Sequence, residues 1–143
     1  MLQRTVMDPF AKAKQKADIW LHEIAEDLGL ESRDKALLAL RGGLHALRDR
    51  LSAEEVVQLG AQLPMLIRGL YYEGWSPRHT PVRVRTRDEF LQLIERPFNK
   101  YDLTFDTEEV ARAVFDLLSR HITRGEIDDV RAVLPSSIDA LWS

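Results

Sequence analysis

The stretch from Arg50 to Tyr71, RLSAEEVVQLGAQLPMLIRGLY, aligns without a gap on the stretch from His121 to Trp142, HITRGEIDDVRAVLPSSIDALW, at an offset of 71. Glu55/Glu126, Ala61/Ala132, Leu63/Leu134, Pro64/Pro135, Ile67/Ile138 and Leu70/Leu141 are identical, and Leu51/Ile122, Val56/Ile127, Leu59/Val130 and Tyr71/Trp142 keep apolar character. Moving the offset to 70 carries the match upstream, pairing Asp18 with Asp88, Trp20 with Phe90, Leu21 with Leu91, Ile24 with Ile94 and Leu28 with Phe98. Self-similarity at a fixed spacing is the sequence signature of a repeated structural unit. The chain reads as a duplication.

Local punctuation makes each unit helical. Ser52-Ala53-Glu54-Glu55, Thr86-Arg87-Asp88-Glu89 and Thr123-Arg124-Gly125-Glu126 have the capping-box pattern, in which a hydroxyl and a carboxylate three residues on satisfy unpaired N–H groups. Pro64 and Pro135 each follow a leucine after about ten helical residues. An interior proline removes a hydrogen bond and clashes with the preceding turn, so each is expected to end one helix and open a shorter one. The predicted helices span about 17–28, 33–49, 53–62 and 64–72, then 87–96, 107–120, 124–133 and 135–142.

Apolar residues recur at helical spacing within these spans. Ile19, Trp20, Ile24 and Leu28 form one stripe opposite His22, Glu23, Glu26 and Asp27, and Leu37, Leu40, Leu44 and Leu47 form another. Val110, Val114, Leu117 and Leu118 repeat the pattern in the second copy. Alternation with a period of two is confined to Val82-Arg83-Val84-Arg85. The expected fold is all-α, with two tandem related helical-bundle repeats of about four helical segments each, packed about a pseudo-twofold axis. The expected organisation is a lead-in over 1–15, a first repeat over 16–72, an aromatic and basic connector over 73–86 and a second repeat over 87–143.

Composition limits the chemistry. At 143 residues, with 45% apolar and 30% charged composition, the chain is long enough to bury its own core, and it contains no cysteine. A chain of this length buries roughly 68–70% of its unfolded surface and needs no disulfide or metal to stay folded. Thiolate zinc sites, iron–sulfur clusters and cysteine nucleophiles are excluded by the same count. A net charge of −3 gives nucleic acid no support. No apolar run approaches the ~20 residues of a membrane span, and the first ten residues lack the hydrophobic segment of a secretory signal. A soluble, cytoplasmic protein with no membrane contact is expected.

The run Ala46-Leu47-Arg48-Asp49-Arg50-Leu51, followed by Ala61-Gln62-Leu63-Pro64 and by Arg68-Gly69-Leu70-Tyr71-Tyr72-Glu73-Gly74-Trp75, resembles the bacterial family known as domain of unknown function 2267. The likeness continues through Thr86-Arg87-Asp88-Glu89-Phe90 and the second Leu134-Pro135. The resemblance implies a small helical protein of two related halves. It carries no activity, substrate or catalytic residue with it.

Constellations that carry chemistry elsewhere read here as structure. His22 has Glu23 beside it and Glu26 one turn on, an array that is not HExxH and falls on the predicted solvent face. The repeat matches His45 with Asp116 and His121 with Arg50, so no shared metal ligand survives between copies. No metal and no cofactor is expected. The pairs Glu54-Glu55, Glu108-Glu109 and Asp128-Asp129 all fall in early turns of predicted helices, where the dipole and unpaired N–H groups favour negative charge. Gly42-Gly43 and Gly69 lack a preceding strand and phosphate-loop spacing, so helix crossing explains them better. Ser136-Ser137 has no histidine nearby, and no catalytic triad emerges.

The connector is the segment most suited to an interaction. Tyr71, Tyr72 and Trp75 precede Arg78, Arg83, Arg85 and Arg87, a combination enriched at interface hot spots and able to stack on bases. Residues 73–87 hold four basic groups and one acidic, whereas residues 88–143 hold six basic and twelve acidic. Attraction between the two regions, within the molecule or across a dimer, is one expectation. The candidate interaction or pocket residues are therefore Tyr71, Tyr72, Trp75, Arg78, Arg83 and Arg85. The expected function is a non-enzymatic protein-interaction or self-associating domain, with a protein partner or homodimer rather than nucleic acid. The alternative is a small-molecule-binding protein or enzyme with a pocket between the repeats.

Overall fold

The computed structural model describes residues 8–101 and 104–142. Helices α1 (Pro9–Leu28), α2 (Arg33–Arg50), α3 (Ala53–Ala61) and α4 (Met65–Tyr72) are followed by a 3-10 turn at Pro77–His79. Then come α5 (Arg87–Glu95), a 3-10 segment at Arg96–Tyr101, α6 (Thr107–His121), α7 (Arg124–Ala132), α8 (Ser136–Asp139) and a closing 3-10 turn at Ala140–Trp142. The described residues contain no strand, so the all-α expectation holds.

The helix starts follow from their caps. Ser52 accepts from Glu55 N, Thr86 from Glu89 N and Thr123 from Glu126 N. Pro64 and Pro135 stand at the N-caps of α4 and α8. Only Thr86 completes a capping box, with the Glu89 carboxylate returning to the Thr86 N–H at 3.2 Å. The carboxyls of Glu55 and Glu126 make no such return; both side chains are buried. α1 begins eight residues before its expected start, because Asp8 accepts from Ala11 N and Pro9 occupies the first turn. Residues 9–15 of the expected lead-in are therefore helical, and its residues 1–7 lie outside the described residues.

α2 and α6 form the centre. α2 packs on α1, α4, α5 and α6, while α6 packs on α1, α2, α5 and α7. Ala36, Ala39, Leu40, Leu44 and Leu47 of α2 and Val110, Ala111, Val114, Phe115, Leu117 and Leu118 of α6 are fully buried. The two helices meet where glycine permits. A Cβ on Gly43 would stand 2.5 Å from Val114 Cγ2, and one on Gly42 would stand 2.8 Å from Phe98 Cζ. Phe115 stacks on Trp142 at 4.2 Å, and the Trp142 indole N–H donates to Ser119 Oγ at 2.7 Å.

One residue leaves its expected stripe. Trp20 and Ile24 are buried, but Ile19 is 48% exposed, since Leu21 takes the inward position on the other side of Trp20.

Candidate functional site

Arg48-Asp49-Arg50, at the end of α2, fixes the connector. Arg48 is 4% exposed and donates from Nη1 to the carbonyls of Tyr71 at 2.8 Å and Glu73 at 2.7 Å. Its Nε donates to Asp49 Oδ1 at 2.8 Å, so the guanidinium carries its charge balance with it. The Val82 N–H donates to the Asp49 carbonyl at 2.7 Å, and Arg50 Nε donates to the Val84 carbonyl at 2.5 Å. Three successive polar residues thus hold the end of α4 and the extended stretch 82–84. The charged triplet belongs to the scaffold.

The connector's aromatic residues turn inward. Tyr71 is fully buried and donates from its hydroxyl to the Val56 carbonyl at 2.8 Å; burial pushes this phenol well above its ordinary titration range. Tyr72 packs edge-on against Tyr71 and lies directly over Gly60, where a Cβ would collide with its ring. Trp75 tilts against Tyr72 and donates to Thr80 Oγ1 at 3.0 Å. Val84 is buried, whereas Arg78, Arg83 and Arg85 are exposed. Among the described residues these three guanidinium groups make no ion pair, while Arg87 pairs with Glu108 across α5 and α6. The six connector candidates therefore divide into an inward aromatic set and an outward basic set.

A cleft of about 500 Å³ opens elsewhere, between α1, the α3–α4 turn and the end of α6. Ile19, Trp20, Leu63, Pro64 and Met65 form its apolar walls. Its polar lining is Lys16, Gln62, Arg68 and His121, with no carboxylate among them. Trp20 is almost completely buried and stacks on His121 with ring centroids 4.8 Å apart and planes at 25°. The far side of the imidazole is held by Glu23, whose Oε2 lies 2.8 Å from His121 Nε2. Arg120 joins the same seam through Glu23 at 3.2 Å and Asp27 at 2.7 Å.

Arg68 is positioned by the end of α3. It donates from Nε to the Gly60 carbonyl at 2.8 Å and from Nη2 to Ala61 and Leu63 at 3.1 and 2.8 Å. These are the carbonyls that a helix C-terminus leaves without intrahelical partners. Lys16 has no polar partner among the described residues. In this cleft Ile19 and Met65 are 48% and 57% exposed, two of the larger apolar side chains left open to solvent. A second concavity, of about 410 Å³, is lined mainly by Asp27, Glu109, Arg112, Asp116 and Trp142 and is acidic where the first is basic.

The cleft residues were dispersed in the sequence reading. Lys16, Ile19, Arg68 and His121 come from three separate helices, and no short motif joins them. The apolar Met65 immediately after Pro64 is the available signal. Among the described residues no group of three metal-ligating side chains converges, and no helix is long and apolar enough to cross a membrane.

Residues 17–141 match the family model described as "Uncharacterized conserved protein (DUF2267)", which spans nearly the whole chain. No curated protein matches the sequence.

Proposed function

The chain belongs to the DUF2267 family, and we propose that it is a non-enzymatic protein-interaction domain whose docking face is the cleft between α1, the α3–α4 turn and the end of α6. The observation that carries this reading is the exposure of Ile19 and Met65 at a concavity whose ionic lining, Lys16 and Arg68, is basic. Apolar side chains gathered at one concavity mark contact sites, whereas isolated ones do not. The partner is a protein segment with one or two apolar anchors flanked by carboxylates. Its anchors pack on Ile19, Trp20 and Met65, and its carboxylates face Lys16 and Arg68.

The expected affinity is modest. Covering a half-exposed Ile, Met or Leu contributes on the order of 1 kcal/mol, and association itself costs roughly 4–15 kcal/mol. Two such side chains do not overcome that cost without the ionic contacts, so binding is selective for acidic segments and weakens with salt. The outward arginines Arg78, Arg83 and Arg85 supply a second, longer-range basic surface that steers the same kind of partner.

We also propose that residues 16–72 and 87–143 are duplicated copies joined by the connector 73–86. The gapless match of Arg50–Tyr71 on His121–Trp142 supports this. So do the equivalent caps at Ser52 and Thr123 and the prolines before α4 and α8. A second reading, a small anionic molecule in the cleft, is favoured by the stacked Trp20–His121 wall.

Native mass spectrometry of the protein isolated from its own host at its own expression level tests the proposal. An adduct of a second, different polypeptide that is lost in Ile19→Asp supports docking. A bare monomer, a pure homodimer or a small discrete adduct overturns it, the last in favour of the small-molecule reading.

A further inference from the structure

Glu55 and Glu126 occupy the same position in the two aligned stretches, 71 residues apart, and meet in space where α3 packs on α7. Both are more than nine-tenths buried, at 8% and 7% exposure. The Glu126 carboxyl lies within hydrogen-bonding reach of the Glu55 carboxyl. Neither finds a basic partner, and Glu55 Oε1 and Glu126 Oε2 are buried without any donor. The contact is flanked by a polar tie in which the Thr123 N–H and hydroxyl both donate to Gln62 Oε1 at 3.1 Å.

Two ionised carboxylates side by side in a mostly buried contact are disfavoured, because like charges and desolvation both oppose it. No third metal-ligating side chain converges on the pair among the described residues. One proton resolves both problems, converting two acceptors into a donor and an acceptor. We propose that Glu55 and Glu126 form a shared-proton latch between the two halves of the chain, and that loss of this proton loosens α3 from α7.

The surroundings leave the proton as the balancing charge. On α7, Asp129 adds negative charge, and on α4 the buried Tyr71 phenol stays neutral. The cation that acts on Tyr71, Arg48 of α2, is already bonded to Asp49, and among the described residues no cation acts on Glu126. Burial first, and the Glu55 carboxyl second, push the Glu126 carboxyl up to about 8. A carboxyl raised in the folded state holds a proton that the unfolded chain has released. Its contribution to stability is complete below the ordinary glutamate value near 4.5 and is lost as pH rises toward about 8.

Urea unfolding of wild type, Glu55→Gln and Glu126→Gln between pH 4.5 and 9 tests the latch. Relative to Glu126→Gln, the wild-type folding constant falls with pH by up to tenfold per unit, then levels off above about 8. Glu126→Gln removes the dependence with the titrating group, and Glu55→Gln, which sets an amide against the Glu126 carboxylate, reduces it to the part that burial supplies. Amide exchange, corrected for its intrinsic pH dependence, rises selectively in Ala53–Ala61 and Arg124–Ala132 of wild type at pH 9. A wild-type pH dependence equal to that of Glu126→Gln overturns the proposal, as does one that Glu55→Gln leaves unchanged. Exchange that rises uniformly along the chain overturns the loosening of α3 from α7.

Discussion

The Trp20 indole and the His121 imidazole stack at 4.8 Å, joining α1 to the end of α6 and walling the basic cleft at the same time. Glu23, on the same helix as Trp20, holds the imidazole from its other side. His121→Ala removes the stack and the Glu23 contact together. The expected cost is about 1–2 kcal/mol, the range of an aromatic pair with a partly exposed hydrogen bond. Chemical denaturation measures it, and an unchanged midpoint contradicts the role of this seam.

Two glycines predict changes of opposite sign. Gly43→Ala places a methyl 2.5 Å from the branched Val114 side chain in a fully packed crossing, so α2 and α6 must separate. Overpacking of this kind costs about 1–3 kcal/mol. Gly69, exposed within α4, has nothing within 4 Å of an added Cβ. There alanine favours the helix by about 0.5–1 kcal/mol. Thermal melts of the two variants should move in opposite directions from wild type.

The helix ends were legible because their chemistry is local. Ser52, Thr86, Thr123, Pro64 and Pro135 mark starts that the structure reproduces to within a residue or two. Ile19 was misplaced because a stripe drawn through Trp20 and Ile24 admits either neighbour, and only packing chooses Leu21 for the interior. Glu55 and Glu126 read as capping-box carboxylates, since that satisfies them locally. Their burial against one another depends on how α3 meets α7. Their identity across the two aligned stretches of sequence is the one hint. The cleft was illegible because residues as distant as Lys16, Arg68 and His121 acquire meaning only once brought together.

Arg48 is the polar residue on which the connector most depends. Arg48→Met preserves bulk in a buried position but strands the Tyr71 and Glu73 carbonyls. Each carbonyl left without a donor costs about 1–3 kcal/mol. A loss of roughly 3 kcal/mol is expected, with early proteolysis between residues 73 and 86. Wild-type stability and protease resistance in this variant would contradict the assignment.

His45 predicts a loss of stability in acid. Its Nε2–H donates to the Leu70 carbonyl at 2.7 Å, and burial holds the imidazole below its ordinary value near 6.5. The unfolded chain therefore takes up the proton first. The stabilising contribution is present above pH 6.5 and is lost as pH falls toward the lower folded value. His45→Gln can keep a donor to Leu70 without titrating, so its stability should fall less than that of wild type between pH 6.5 and 5. Parallel curves would contradict this.

Docking in the cleft requires that surface changes there spare the fold. Ile19→Asp alters a half-exposed side chain and should change stability by no more than about 0.5 kcal/mol. Raising salt should weaken partner capture, because Lys16 and Arg68 supply the ionic part of the contact.

The most direct measurement is site-specific photo-crosslinking in the native host, with a photoreactive amino acid at Met65 and, in a second variant, at Arg83. Docking in the cleft predicts a discrete protein adduct from position 65 that Ile19→Asp abolishes, with an acidic apolar segment of the partner at the linked site. No adduct from position 65, or one confined to position 83, would contradict the cleft as the docking face.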